Sequence, residues 1–178
     1  LRTESALWQE RFVYESFKVD IGLTSTVTLH REQSLVLKRL LEGENLALSA
    51  PTSFGKSFII DAFISIKQPS NVVIIVPTIA LADETRRRLQ KKFSDKYKLI
   101  TTSDVEISQK NIFIFPQERS LGYIPIIENL DLLIVDEFYK ASEEHDKDRA
   151  PTLLKAIVKL SKVAKQRYFL SPNIRSLK

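Results

Sequence analysis

Cysteine is absent from all 178 residues, which removes disulfide scaffolds, Cys-ligated zinc, iron–sulfur clusters and thiol chemistry together. Histidine is nearly absent, with only His30 and His145, so a His-rich metal centre is excluded as well. Glycine occurs only 4 times, at positions 22, 43, 55 and 122. Methionine is missing too, and because translation begins with one, a chain opening at Leu1 is expected to be a processed product or a piece of something longer. No run approaches the roughly 20 apolar residues of a membrane span, and the beginning lacks the basic and then apolar layout of a signal peptide. The expectation is a reducing, aqueous compartment, cytoplasmic or, in a eukaryote, nuclear, with no membrane partner.

What is present is ordinary for a folded domain: 43% hydrophobic and 28% charged residues. A chain of this length buries about 70% of its unfolded surface in one core. Lys and Arg number 27 against 22 Asp and Glu, a net +5 that fits contact with a polyanion without requiring it.

Short apolar runs without polar alternation occur at Leu46–Ala50, Val72–Val76, Ile112–Phe115, Leu132–Val135 and Tyr168–Leu170, the pattern of strands buried on both faces. Helical patterns lie between them: Arg31–Glu42 closed by Gly43, Ser57–Lys67 stopped before Pro69, Ile79–Phe93, and Thr152–Gln166 opened by Pro151. Alternation of this kind predicts an α/β fold, a parallel sheet with helices on both faces, because parallel strands need crossovers and the crossovers cover the sheet. Ligands of such sheets bind outside the carboxyl ends of the strands. Residues 1–28, where Trp8, Phe12, Tyr14 and Phe17 mix with charges, read as an N-terminal extension, and the charged run Glu143–Arg149 as a solvated loop.

The first apolar run leads into Ala50-Pro51-Thr52-Ser53-Phe54-Gly55-Lys56-Ser57, a strand, a small-residue loop and then Gly-Lys-Ser opening a helix, which is P-loop context. Phosphate binding there needs backbone N–H groups converging at a helix N-terminus, a residue without a side chain at the closest approach, a Lys for the β/γ-phosphates and a hydroxyl for Mg²⁺. Gly55, Lys56 and Ser57 supply the last three. The fourth run ends in Asp136-Glu137. An acid at the tip of a buried parallel strand can hold Mg²⁺ through its water shell, and Glu137 directly after it can orient and deprotonate an attacking water. That pair favours hydrolysis over phosphoryl transfer to a small-molecule substrate.

With these residues in hand, the span from Leu29 to about Asn173 resembles the first RecA-like domain of a superfamily-two helicase of the DExD/H, Ski-like type. Gln33, 23 positions before Lys56, resembles the glutamine that reads the adenine edge in that family. The loop from Ala50 to Ser57 is similar to the family's A-P-T-x-x-G-K-[S/T]. Pro77-Thr78 in Val76–Ala82 resembles motif Ia, where the Thr hydroxyl and backbone amides hold a nucleic-acid phosphate; the same two residues also suit a plain turn and helix cap. Thr102-Ser103-Asp104 and Pro116-Gln117-Glu118-Arg119 stand where T-G-D and T-P-E-x are usual. Ser171-Pro172-Asn173 resembles the S-A-T motif that couples hydrolysis to nucleic acid, with Tyr139 in the place of the Asp or His it normally addresses. Both partners of that coupling are changed here.

The resemblance implies a nucleic-acid-dependent ATPase using ATP and Mg²⁺. Lys56 would sit on the β/γ-phosphates, Ser57 and Asp136 on Mg²⁺, with Glu137 as base, Gln33 on adenine, and RNA or DNA as partner. It also implies a second RecA-like domain, absent from this sequence, that supplies an arginine finger, so the piece alone is expected to turn ATP over poorly. Two other readings stay open: a duplex DNA translocase motor of a restriction or defence system, and a non-hydrolysing ATP-binding or nucleic-acid-docking module. Two basic clusters, Arg86-Arg87-Arg88 with Lys91 and Lys92, and Lys155, Lys159, Lys162 and Lys165, can each track phosphates or form the solvated face of an amphipathic helix.

Overall fold

The structure, a computed structural model, describes residues 31–141, 147–148 and 150–172. The expected N-terminal extension over 1–28, along with His30, His145 and Asn173, lies outside the described residues. In chain order the elements are α1 (Arg31–Leu41), β1 (Leu46–Ser49), α2 (Lys56–Lys67), β2 (Asn71–Val76), α3 (Ile79–Phe93), β3 (Lys98–Ile100), β4 (Asn111–Pro116), the short α4 (Ser120–Tyr123), β5 (Leu130–Val135), α5 (Ala150–Val163) and β6 (Ala164–Ser171). Short 3-10 turns occupy Thr52–Phe54, Gln117–Arg119, Ile124–Ile126 and Phe138–Ala141. The chain divides into two compact units, one holding α1 and α2 and the other all six strands with α3, α4 and α5.

In the first unit α1 packs on α2. Leu37 and Leu40 of α1 are buried, three residues apart on one face, with Glu32 in the first turn and Lys38 and Arg39 in the last, the charge order that the helix dipole favours. In α2 every residue from Ile59 to Ile64 is buried, as expected of a helix that is apolar nearly all round.

The second unit is a parallel sheet in the order β1-β6-β5-β2-β4-β3. From β2 to β3 the chain moves one way along the sheet; from β4 to β5 and from β5 to β6 it moves the other way. Right-handed crossovers therefore place α3 on one face and α4 and α5 on the other. With both faces covered, β2, β4 and β5 carry Val, Ile, Leu and Phe on both sides and are buried almost throughout. Val73, Ile75, Phe113, Phe115, Leu133 and Val135 point to the face where Leu153 and Leu160 of α5 complete one core.

One boundary and one added strand stand out against the sequence reading. The late helix stops at Val163, not Gln166, and passes straight into β6 with no Gly or Pro between them, so nothing in the composition marks the junction. Along β6 Ala164, Gln166, Tyr168 and Leu170 are buried while Lys165 is exposed, the period-2 signature of a strand. The sheet also gains β3, three residues long and opened by Lys98, at an edge where short charged strands are tolerated.

At the amino ends of the strands, the Asp131 carboxylate accepts from the Ser70 and Asn71 N–H groups at 2.8 and 3.0 Å and from Lys165 Nζ at 2.8 Å. Asn111, fully buried, donates to Asn71 Oδ1 and to the Ser108 carbonyl. This polar girdle fixes strand register at the end of the sheet remote from the residues that carry chemistry.

Candidate functional site

The Gly-Lys-Ser segment opens α2 as expected. Gly55 is the N-cap, at φ 78° and ψ 37°, a left-handed conformation that side chains with a Cβ avoid. The N-cap glycine has no side chain with which to cap the helix, and no acid stands in its first turn. The first N–H groups of a helix point along its axis without intrahelical acceptors, so this end is chemically suited to an anion. Lys56 and Ser57 are the first two helical residues, the lysine half-buried and the serine exposed. Pro51 and Ser53 are exposed and Phe54 half-buried in the preceding turn, which Thr52 begins.

Gln33 is buried, and its amide nitrogen donates to the Phe54 carbonyl in the phosphate-loop segment. A Cβ at position 55 would lie 2.7 Å from that nitrogen. The side chain expected on adenine thus also braces the loop's backbone from α1, which sequence spacing did not reveal.

In the second unit all strands are parallel, so the residues after β1, β2, β4, β5 and β6 emerge on one edge. Asp136 leaves β5 with its N–H on the Ile75 carbonyl at 2.8 Å, and its Oδ1 accepts the Glu137 N–H at 2.9 Å. Glu137 has φ 52°, an uncommon left-handed conformation for a residue with a Cβ. Its Oε2 lies 2.6 Å from Lys140 Nζ. Tyr139 is half-buried in the Phe138–Ala141 turn, which is anchored by the Phe138 ring 5.9 Å from that of Phe169. Ser171 and Ser49 face each other across β6 and β1, and both hydroxyls donate to the Pro172 carbonyl oxygen, at 2.9 and 3.0 Å. Taken singly, the exposed Ser57 hydroxyl and the half-buried Asp136 carboxylate are each hard oxygen donors of the kind that Mg²⁺ takes.

Three further residues stand near these groups, Gln117 from the segment 116–119 and two that the sequence did not single out. Gln117, almost fully buried, donates from Nε2 to the Asp136 carbonyl at 3.2 Å, and among the described residues its Oε1 finds no partner. Tyr168, fully buried on β6, has an unpartnered hydroxyl in the same sense. Burial, and after it the negative charge of Asp136, push that phenol well above its ordinary range, so it remains a neutral donor. Lys140 was invisible because no pattern singles out a lysine after an acidic turn.

Of the nucleic-acid candidates, Pro77 is buried, while Thr78 is exposed and caps α3, its Oγ1 accepting the Leu81 N–H at 3.2 Å. The cap and the turn are therefore both real. In the first basic cluster Arg86 and Arg87 pair with Asp83 at 2.9 and 2.6 Å, the habit of a solvated helix face. In the second, Lys155, Lys159 and Lys162 are exposed on α5, but Lys165 belongs to β6 and is bound to Asp131, so it leaves that cluster. Leu154 and Val158 of α5 are also exposed, at 50% and 48%.

The parallel sheet and its helices form a core of the helicase kind. Residues 30–173 match the family model described as DEAD/DEAH box helicase, and the chain belongs to that family. It is 39% identical over 158 residues to Anti-bacteriophage protein B of Escherichia coli (strain K12), covering 84% of this chain and 22% of that protein. It is 30% identical over 128 residues to DNA polymerase theta of Mus musculus, covering 64% of this chain and 5% of that one. The chain thus spans about a fifth or less of these relatives. Among solved structures, the Sulfolobus solfataricus SWI2/SNF2 ATPase core in complex with dsDNA superposes with a TM-score of 0.60 at 17% identity, over 82% of this chain and 32% of that one. The fold is that of a RecA-like helicase core. Among the described residues no helix is long and apolar enough to cross a membrane.

Proposed function

We propose that this chain is the ATP-binding domain of a nucleic-acid-dependent ATPase that couples hydrolysis to unwinding or remodelling of RNA or DNA in the cytoplasm or nucleus. The carrying observation is the start of α2, where a left-handed glycine is followed by Lys56 and Ser57 with no acidic residue in the first turn. In this reading the loop from Pro51 to Ser57 binds the phosphates, Lys56 neutralises the β/γ-phosphates, and Gln33 reads adenine. Ser57 and Asp136 would hold Mg²⁺, which when bound screens phosphate charge. Glu137 orients water and takes its proton. Pro77 and Thr78 position a nucleic-acid backbone, and Tyr139, Ser171 and Asn173 carry the coupling. A second RecA-like domain of the same full-length protein supplies the arginine finger.

A Glu137→Gln variant of the full-length protein tests this. It is expected to bind ATP as tightly as wild type and to release no phosphate; wild-type turnover would refute the assignment. The family relationship to Anti-bacteriophage protein B favours one second reading, a duplex DNA translocase of a defence system. Strand displacement by the full-length protein separates the two, since a translocase hydrolyses ATP along a duplex without releasing a strand.

A further inference from the structure

We propose that Lys140 positions Glu137 for its work on water, an inference that rests on the reading of Glu137 as the general base.

Glu137 sits at φ 52°, a conformation that a residue with a Cβ keeps only where its surroundings enforce it. Lys140 provides two restraints at once. Its N–H donates to the Glu137 carbonyl at 3.0 Å, and its Nζ holds Glu137 Oε2 at 2.6 Å. The 3-10 turn Phe138–Ala141 makes this possible, because three residues per turn bring the third residue onward back over the first. The turn is itself fixed, since Phe138 packs into the core under α5 and against Phe169. With side chains 30% and 28% exposed, the pair is partly shielded from water and is held more firmly than an exposed ion pair.

The consequence for the carboxylate is directional. Oε2 is anchored by the ammonium, whereas Oε1 accepts no hydrogen bond from any described residue. One oxygen is a fixed point and the other is left to receive a proton from water. A glutamate on a strained backbone without this anchor would sample several rotamers, and only some of them would meet the water correctly.

Lys140 acts through Glu137, so it is a positioning residue rather than a catalytic one. In the full-length protein with saturating nucleic acid, Lys140→Ala is expected to lower kcat by roughly ten- to a hundredfold, the scale of a misplaced reacting group. The KM for ATP and the Kd for a fluorescent ATP analogue should stay within about twofold of wild type, because binding does not use Glu137. Lys140→Arg should recover most of the loss, and Lys140→Met, which keeps the apolar stem, should not. In a Glu137→Gln background, Lys140→Ala should change nothing further. Unchanged or raised kcat in both Lys140→Ala and Lys140→Met overturns the proposal, the raised case marking Lys140 as a brake. Wild-type turnover by Glu137→Gln alone would instead overturn the base assignment and this proposal with it. An inactive Glu137→Gln with an undiminished Lys140→Ala would remove only Lys140.

Discussion

The amide nitrogen of Gln33 lies 2.7 Å from the point a Cβ would occupy at position 55, and that amide is also bonded to the Phe54 carbonyl one residue earlier. Gly55→Ala therefore meets two penalties: a left-handed backbone, about 1–2 kcal/mol, and displacement of a hydrogen bond, about 1 kcal/mol. Urea denaturation should report both. Adding Gln33→Ala should relieve the collision but leave the backbone penalty, so the double variant is expected to be less destabilised than the sum of the singles. A stability unchanged by Gly55→Ala would contradict the left-handed cap.

Thr78 both caps α3 and is the proposed phosphate contact. Thr78→Ala should cost about 1 kcal/mol of stability through the lost cap. It should also weaken nucleic-acid binding while leaving the slope of log K against log salt unchanged, since a neutral hydroxyl releases no counterion. A shallower slope would mean that the variant disturbs a cationic contact instead.

The buried Tyr168 hydroxyl has no partner among the described residues. Tyr168→Phe should leave stability unchanged or raise it by about 1 kcal/mol, because an unsatisfied buried donor carries a desolvation cost. Loss of more than that amount on chemical denaturation would indicate a hydrogen bond to the polar group whose charge it feels, the Asp136 carboxylate.

Burial alone would raise the Asp131 carboxyl, but hydrogen bonds from Lys165, Asn71 and Ser70 outweigh it and hold the group below its ordinary 3.8. The unfolded chain then takes up the proton first as pH falls, so this contribution is complete above about pH 4 and is lost as the pH drops through the lower folded value. Lys165 shifts upward from 10.5 through its hydrogen bond to Asp131, so its share is complete below that value and is lost as the pH rises through the higher folded value. Asp131→Asn should flatten the acid limb of a stability–pH curve. An acid limb identical to wild type would remove Asp131 from the account.

Much of the fold was legible because the central strands are continuous apolar runs, and the candidate site residues were picked out because they stand directly after those runs. Ile79–Phe93 matches the helical periodicity at both ends, with Thr78 as the foreseeable cap. The junction at Val163 was hidden because helix and strand meet without a breaker, and the lysines at 155, 159, 162 and 165 imitate one helical face across it. β3 is too short to carry a period. Gln33 was singled out by spacing as a candidate, but its bond to Phe54 depends on how α1 packs against the start of α2. Lys140 and Tyr168 belong to no pattern: the first is defined by a 3-10 turn and the second by what burial leaves unpaired.

Ser49 and Ser171 occupy one register position, and the Ala50 N–H reaches the Ser171 carbonyl at 3.2 Å. The polypeptide thus departs the sheet from two adjacent points, once toward Gly-Lys-Ser and once at Pro172, where both serine hydroxyls meet. Proline has a fixed φ and no N–H, so only the Pro172 carbonyl is left to hydrogen-bond at this exit, and both serines use it. A displacement of Pro172 would therefore be felt at Ser49, the last residue of β1, through a single hydrogen bond.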